Sequence, residues 1–319
     1  MGSEMCIRDS HESEFSPNGG TLIDLGFCGR NDDYYTFGQD LIDGDRTRPL
    51  NAYTIESEQT DTSASITVNS KENGITQTTR YSLNTTAPTQ LHISKTLTRV
   101  SDKDNSFDVY SSIHFNHHSL EPFVFSSQDS ANSNGFQHED FVKRGTSALT
   151  SATRNADTII TISPPDAETP ISYGWQVTSA LRIEDDETYP IPKFILADDQ
   201  SNAFLFIPDT FYIGDNANIS WLQLGQIPLL SLDIDTSLNI NETIYVGRRG
   251  DVASITDQIF TNTSSLIGRV DEINSAIHID KTDGTPVTHA RPNSDGSFKL
   301  NLPKGEYTLR HVGLSLIHI

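Results

Sequence analysis

Cysteine is nearly absent from this chain of 319 residues, which carries Cys6 and Cys28 and no others. A disulfide framework is therefore excluded, and the fold must be held by buried apolar surface. Long apolar runs are missing too, and no stretch reaches the ~18 residues that a helical membrane span requires. Cations are scarce, with 22 Lys and Arg against 43 Asp and Glu and a formal net charge of -21. A surface of that sign repels a phosphate backbone, which binds proteins through Lys and Arg that displace its counterions. Nucleic acid is excluded as a partner class on this ground. The chain also lacks a nucleophile elbow, a P-loop, a dinucleotide fingerprint and any zinc-type Cys/His spacing.

What remains is β-forming. Hydrophobic residues make up 35% of the chain, with 15 Phe and 10 Tyr among them, a composition that supports a packed core with strand propensity. Short alternating runs bounded by turn residues recur from Tyr53 to Val246, the pattern of stacked antiparallel sheets. They predict strands over 53–58, 64–69, 75–83, 91–99, 107–116, 122–126, 157–162, 173–183, 193–197, 203–207, 219–224, 229–234 and 239–246. More than a dozen strands exceed one small sandwich, so the expectation is an all-β chain with a large sandwich. One helix is predicted over 251–260, where Asp251 can cap the first turn and Val252, Ile255, Ile259 and Phe260 fall on one side. The polar run 261–265 then reads as a linker. Beyond it, residues 266–313 alternate cleanly and form a second, small β-sandwich, leaving 11–260 as the large one. The runs at 1–10 and 314–319 fit neither neighbour and resemble translated sequencing adapter, so they are set aside as artefact tails.

The small module carries a family likeness. Gly268 and Val270, the turn Asp295-Gly296-Ser297-Phe298 and the run Leu302-Pro303-Lys304-Gly305-Glu306-Tyr307-Thr308-Leu309 resemble the carboxypeptidase regulatory-like domain, a prealbumin-type sandwich. That likeness implies a non-catalytic module. The segment containing Gly19-Gly20-Thr21-Leu22-Ile23-Asp24-Leu25 and Arg30-Asn31-Asp32-Asp33-Tyr34 is similar to the galactose-mutarotase-like supersandwich found in polysaccharide-processing enzymes. The order of the two modules resembles the region upstream of PHP-type metallohydrolase domains in bacterial exported proteins.

Two groups of residues stand out as candidate sites. In the strand near Phe107, Tyr110, Ser112, His114 and Asn116 share one face at period two, and His118 follows. This face reads either as a solvated sheet surface, as a saccharide-binding surface or, if His114 acts with acids nearby, as an epimerase or lyase site. The strand alone cannot hold a metal, because His114 and His118 stand about 13 Å apart at ~3.3 Å per residue. The second group is Asp32 with Asp33 and Asp43 with Asp45, hard oxygen donors suited to calcium. Asx-turns explain the same residues. Glu184-Asp185-Asp186-Glu187 reads as a solvated acidic loop, and Trp175, Trp221, Tyr34 and Tyr35 read as core or as sugar-stacking platforms.

Together these readings lead to an expected function: a non-catalytic, carbohydrate-binding region of a periplasmic or extracellular bacterial enzyme, a metallohydrolase whose catalytic domain lies outside this sequence. No cofactor is expected apart from calcium. The rival readings are an epimerase or lyase in its own right and a cell-surface scaffold.

Overall fold

In a computed structural model of the chain, side chains are described for residues 54–71, 74–101, 158–163, 167, 170–191, 193, 205 and 232–313. Elsewhere only the backbone of the strands named below is described. The chain is all-β, an antiparallel sandwich fold, with one short helix among the described residues.

Strands β1 (Met5–Arg8) and β2 (Asp24–Phe27) pair with each other. Strand β3 is Thr36–Ile42, and a four-strand meander follows: β4 (Asn51–Gln59), β5 (Ser63–Glu72), β6 (Ile75–Asn84) and β7 (Ala87–Arg99). Next come β8 (Val109–Phe115), β9 (Val124–Phe125), β10 (Thr158–Ile162), β11 (Ser172–Glu184) and β12 (Glu187–Pro190). Strands β13 (Phe194–Ala197), β14 (Asn202–Phe206) and β15 (Ser237–Gly247) are the last described strands of the large sandwich. Its main sheet runs β4-β5-β6-β7-β15-β11-β10-β9, with β12 paired to β11, and a second sheet runs β13-β14-β8-β3. The expected run 219–224 lies outside the described residues, and Leu232 to Ile234 form no strand.

Alternation explains the main sheet. In β7 the odd positions Leu91, Ile93 and Leu97 are buried while His92 is exposed. Leu238, Ile240 and Ile244 of β15 continue the same inner face through direct pairing with Leu97, Lys95 and Leu91. Trp175, Val177 and Ala180 extend it onto β11. Burying each large side chain contributes about 1.5–3 kcal/mol, and a one-residue slip would turn the whole set outward. The turn at Gly74 has φ +87°, and a β-carbon there would lie 2.3 Å from the Ser101 Oγ, so glycine is required on both counts.

Helix α1 (Ala253–Ile259) falls where the sequence predicts it. Asp251 caps it as expected: the Ser254 N–H donates to its Oδ1 at 2.8 Å. Val252 and Ile255 pack on Ile160, Ile162 and Tyr245 of the large sheet. A β-carbon on Gly174 would meet the Ile255 side chain at 2.6 Å, so the helix lies directly on the strand there.

The C-terminal strands are β16 (Thr263–Arg269), β17 (Ser275–Lys281), β18 (Pro286–Ala290), β19 (Ser297–Pro303) and β20 (Tyr307–Gly313). They form the sheets β16-β19 and β18-β17-β20. Thr263, Ser264 and Ser265, within the segment read as a linker, are the first residues of β16 and pair with Pro303, Leu302 and Asn301. Phe298, Leu300 and Leu302 share a buried face and pack with Ile277, Ile279 and Val287. The Asp295-Gly296 turn is tight, with Gly296 at φ +80°. It is not a hairpin turn, because β18 pairs with β17 and β19 with β16, so the turn passes the chain from one sheet to the other.

The small sandwich is docked on the large one through α1. Ala253 belongs to the small core, while Phe260 packs against both. Polar contacts tighten the joint. Asp251, fully buried, accepts from Arg249 Nε at 3.2 Å and from the Arg291 N–H at 3.0 Å. Arg291 reaches across to donate to the Ser163 carbonyl at 2.6 Å. Asp257 accepts from the Asn301 N–H at 2.6 Å and from Arg249 Nη2 at 2.9 Å. Burial raises the Asp257 carboxyl above its usual range, against the lowering effect of these donors.

Candidate functional site

The strand that sequence analysis singled out is β8, and its register shows what surrounds it. Directly opposed residues of antiparallel neighbours share a face. His114 is opposed by Phe37 of β3 and Asn202 of β14, Ser112 by Gln39 and Phe204, and Tyr110 by Leu41. The face expected to be polar is therefore mixed, with aromatic and apolar positions between hydrogen-bonding ones. Residues remote in sequence are brought together here by strand order alone. Asn116 and His118 lie outside the described residues.

A second constellation was missed by the sequence reading. On the inner face of the main sheet, Lys95 Nζ stands 3.2 Å from Glu242 Oε1, with both side chains about 95% buried or more. The Trp175 indole N–H donates to Glu242 Oε2 at 3.1 Å, and Trp175 is thereby a core residue, 1% exposed. Gln77 and Thr79, also buried, hydrogen-bond at 2.8 Å on the neighbouring strand. A signal did exist: Lys95 stands at the buried parity between Ile93 and Leu97, and Glu242 at that between Ile240 and Ile244. Charges at those positions must be paired in the interior.

The opposite, outer face of this sheet is built from short polar side chains. One cross-strand row runs Thr54, Asn69, Thr78, Thr96 and Asn239, each residue directly opposed to the next. The Asn69 amide donates to Thr54 Oγ1 at 2.9 Å, and Thr78 Oγ1 donates to Asn69 Oδ1 at 2.8 Å. Farther along, Asn239 Nδ2 donates to Thr96 Oγ1 at 3.2 Å, and Asn241 Nδ2 donates to Asn239 Oδ1 and Ser179 Oγ, both at 2.9 Å. At one end, α1 closes the face over Tyr245, whose hydroxyl donates to Gln176 Oε1 at 2.7 Å.

No protein-family model and no curated protein matches this chain. Among solved structures it is similar to the Slr1438 protein of Synechocystis sp. PCC 6803, at 11% identity and TM-score 0.40 over 73% of this chain and 90% of that one. A polysaccharide lyase is similar at 11% identity and TM-score 0.34, over 98% of this chain and 45% of the lyase. A galactose mutarotase-related enzyme from Lactobacillus acidophilus is similar at 10% identity and TM-score 0.30, over 73% and 93%. At these identities and scores the likenesses assign neither family nor activity.

The remaining candidates divide simply. Asp32, Asp33, Asp43 and Asp45, read as calcium donors, lie outside the described residues, as do Trp221, Tyr34 and Tyr35. The acidic loop is the tight turn of the β11–β12 hairpin, with Asp185 at φ 51° and Asp186 at φ 63°. Both central residues in the left-handed region make it a two-residue turn of the type Asp tolerates. Among the described residues no group of three or more His, Cys, Asp or Glu is placed to hold a metal ion.

Proposed function

We propose that this chain is the carbohydrate-binding or positioning region of an exported bacterial enzyme, working in the periplasm or outside the cell, and that it performs no chemistry itself. By the order of its modules that enzyme is a metallohydrolase, with the large sandwich holding the sugar and the small one acting as a spacer. The observation that carries the proposal is the register of β8: Tyr110, Ser112 and His114 share a face with Phe37, Leu41, Gln39, Asn202 and Phe204. A sugar site needs an apolar or aromatic platform beside a few hydrogen-bonding groups, and the residue types at these register positions include both. Calcium held by Asp32, Asp33, Asp43 and Asp45 belongs to the same proposal.

Calorimetry against a panel of neutral and acidic oligosaccharides, run beside epimerase and lyase assays, tests it. The expected result is binding in the millimolar range that is lost in His114→Ala, with no turnover. Turnover that disappears in His114→Ala would instead make the sandwich an epimerase or lyase, and no binding to any sugar would leave a scaffold.

A further inference from the structure

Resting on the carbohydrate reading, we infer that the outer face of the main sheet is a second docking surface, one that takes an extended neutral glycan chain lying across the strands.

Three observations lead there. The first is charge. In a chain of net charge -21, the outward positions of the adjacent strands β7, β15 and β11 carry no Asp, Glu, Lys or Arg. They present instead Ser94, Thr96, Asn239, Asn241 and Ser179, with Leu181 and Ile183 at the β11 margin. The charges on this face, among them Glu58 and Arg80, stand on β4, β5 and β6 and in part pair with each other, Arg80 Nη2 to Glu58 Oε2 at 3.7 Å. A polyanion finds no cationic track in the centre of the face, whereas a neutral polyhydroxyl ligand finds uncharged donors and acceptors there.

The second observation is order. The amides of Asn69, Asn239 and Asn241 are each hydrogen-bonded to a neighbouring strand, and Ser237 and Thr98 share a bond at 2.7 Å. Short side chains already held in place lose little rotamer freedom on binding, unlike the Lys and Glu usual on a solvated sheet.

The third is dimension. The face crosses six neighbouring strands from β4 to β11, about 24 Å at ~4.8 Å per strand. That suits a linear polymer better than a single sugar ring. Each hydrogen bond is worth only about 0.5–1.5 kcal/mol net, so affinity must accumulate along the ligand.

The test is a titration of the full chain with linear neutral glucan oligomers of increasing length, read by calorimetry. Affinity should rise with length and level off near the span of the face. Asn239→Ala/Asn241→Ala should weaken the long oligomers roughly tenfold, the loss of about 1.4 kcal/mol, with disaccharide binding unchanged. Thr96→Lys, which projects a long side chain over the same row, gives a second variant should the amide pair prove needed for folding. Binding without length dependence would overturn the inference. So would full affinity in both platform variants with loss in His114→Ala, an outcome that leaves the β8 site standing. Absence of any sugar binding would remove the carbohydrate reading itself. Tighter binding of an acidic glycan, or inhibition of ice growth without glycan binding, would assign the face to other chemistry and overturn the inference as well.

Discussion

Removing the Asp251 carboxylate should loosen the joint between the two sandwiches, and the cost can be worked from its partners. The side chain is fully buried and caps α1 through the Ser254 N–H. It also receives the Arg249 guanidinium and the Arg291 backbone N–H. In Asp251→Ala the cap is lost at about 1 kcal/mol. The Arg291 N–H loses its acceptor, at about 1–3 kcal/mol. Arg249 retains Asp257 at 2.9 Å, so its loss is partial. The sum is about 3–5 kcal/mol, the usual cost of breaking a buried charge contact from one side. Asp251→Asn keeps an acceptor oxygen for the cap or for Arg291 and should cost less than half as much. Urea unfolding followed by tryptophan fluorescence and far-UV circular dichroism measures both. A single transition is expected in the unmodified chain, because α1 serves both cores. A loss below about 1 kcal/mol in Asp251→Ala would refute the reasoning, since it would mean that the clasp does not join the sandwiches in solution.

Three other outcomes are expected. Burial, and then the neighbouring Arg310, lower the His278 pKa from its usual 6.5. The unfolded chain therefore takes up that proton more readily, and His278's contribution to stability is present above pH ~6.5 and lost as pH falls below it. In His278→Gln, urea midpoints measured from pH 7.5 to 5 should fall less steeply than in the unmodified chain. Lys95→Met alone strands the Glu242 carboxylate in the interior and should cost about 3–5 kcal/mol, whereas Lys95→Met/Glu242→Leu should recover most of it; chemical denaturation of both variants checks this. Gly268→Ala places a β-carbon 2.3 Å from the Phe298 ring, which the small core holds in place, so a loss of about 1–3 kcal/mol is expected by thermal melting.

Period-two alternation was enough to identify the all-β class and most of the strands. Burial of an alternating strand depends on its own residues: Leu91, Ile93 and Leu97 must face one way whatever lies beside them. The helix was equally legible, because Asp251 and the apolar set after it are local signals. Strand order was not local. Nothing in β8 names β3 and β14 as its neighbours, so the Phe37, His114 and Asn202 row came only from the pairing. The same holds for Asp295-Gly296, whose turn geometry was readable although the two sheets it joins were not. Lys95 and Glu242 were each visible as a charge at a buried parity. Their meeting required β7 and β15, whose paired positions are some 150 residues apart in the chain, to lie side by side. Sequence by itself determined which face of each strand is apolar, because that is a property of neighbours along the chain. Tertiary structure alone decided which polar residues stand together across strands, because hydrogen-bonded pairing joins segments with no sequence relation to one another.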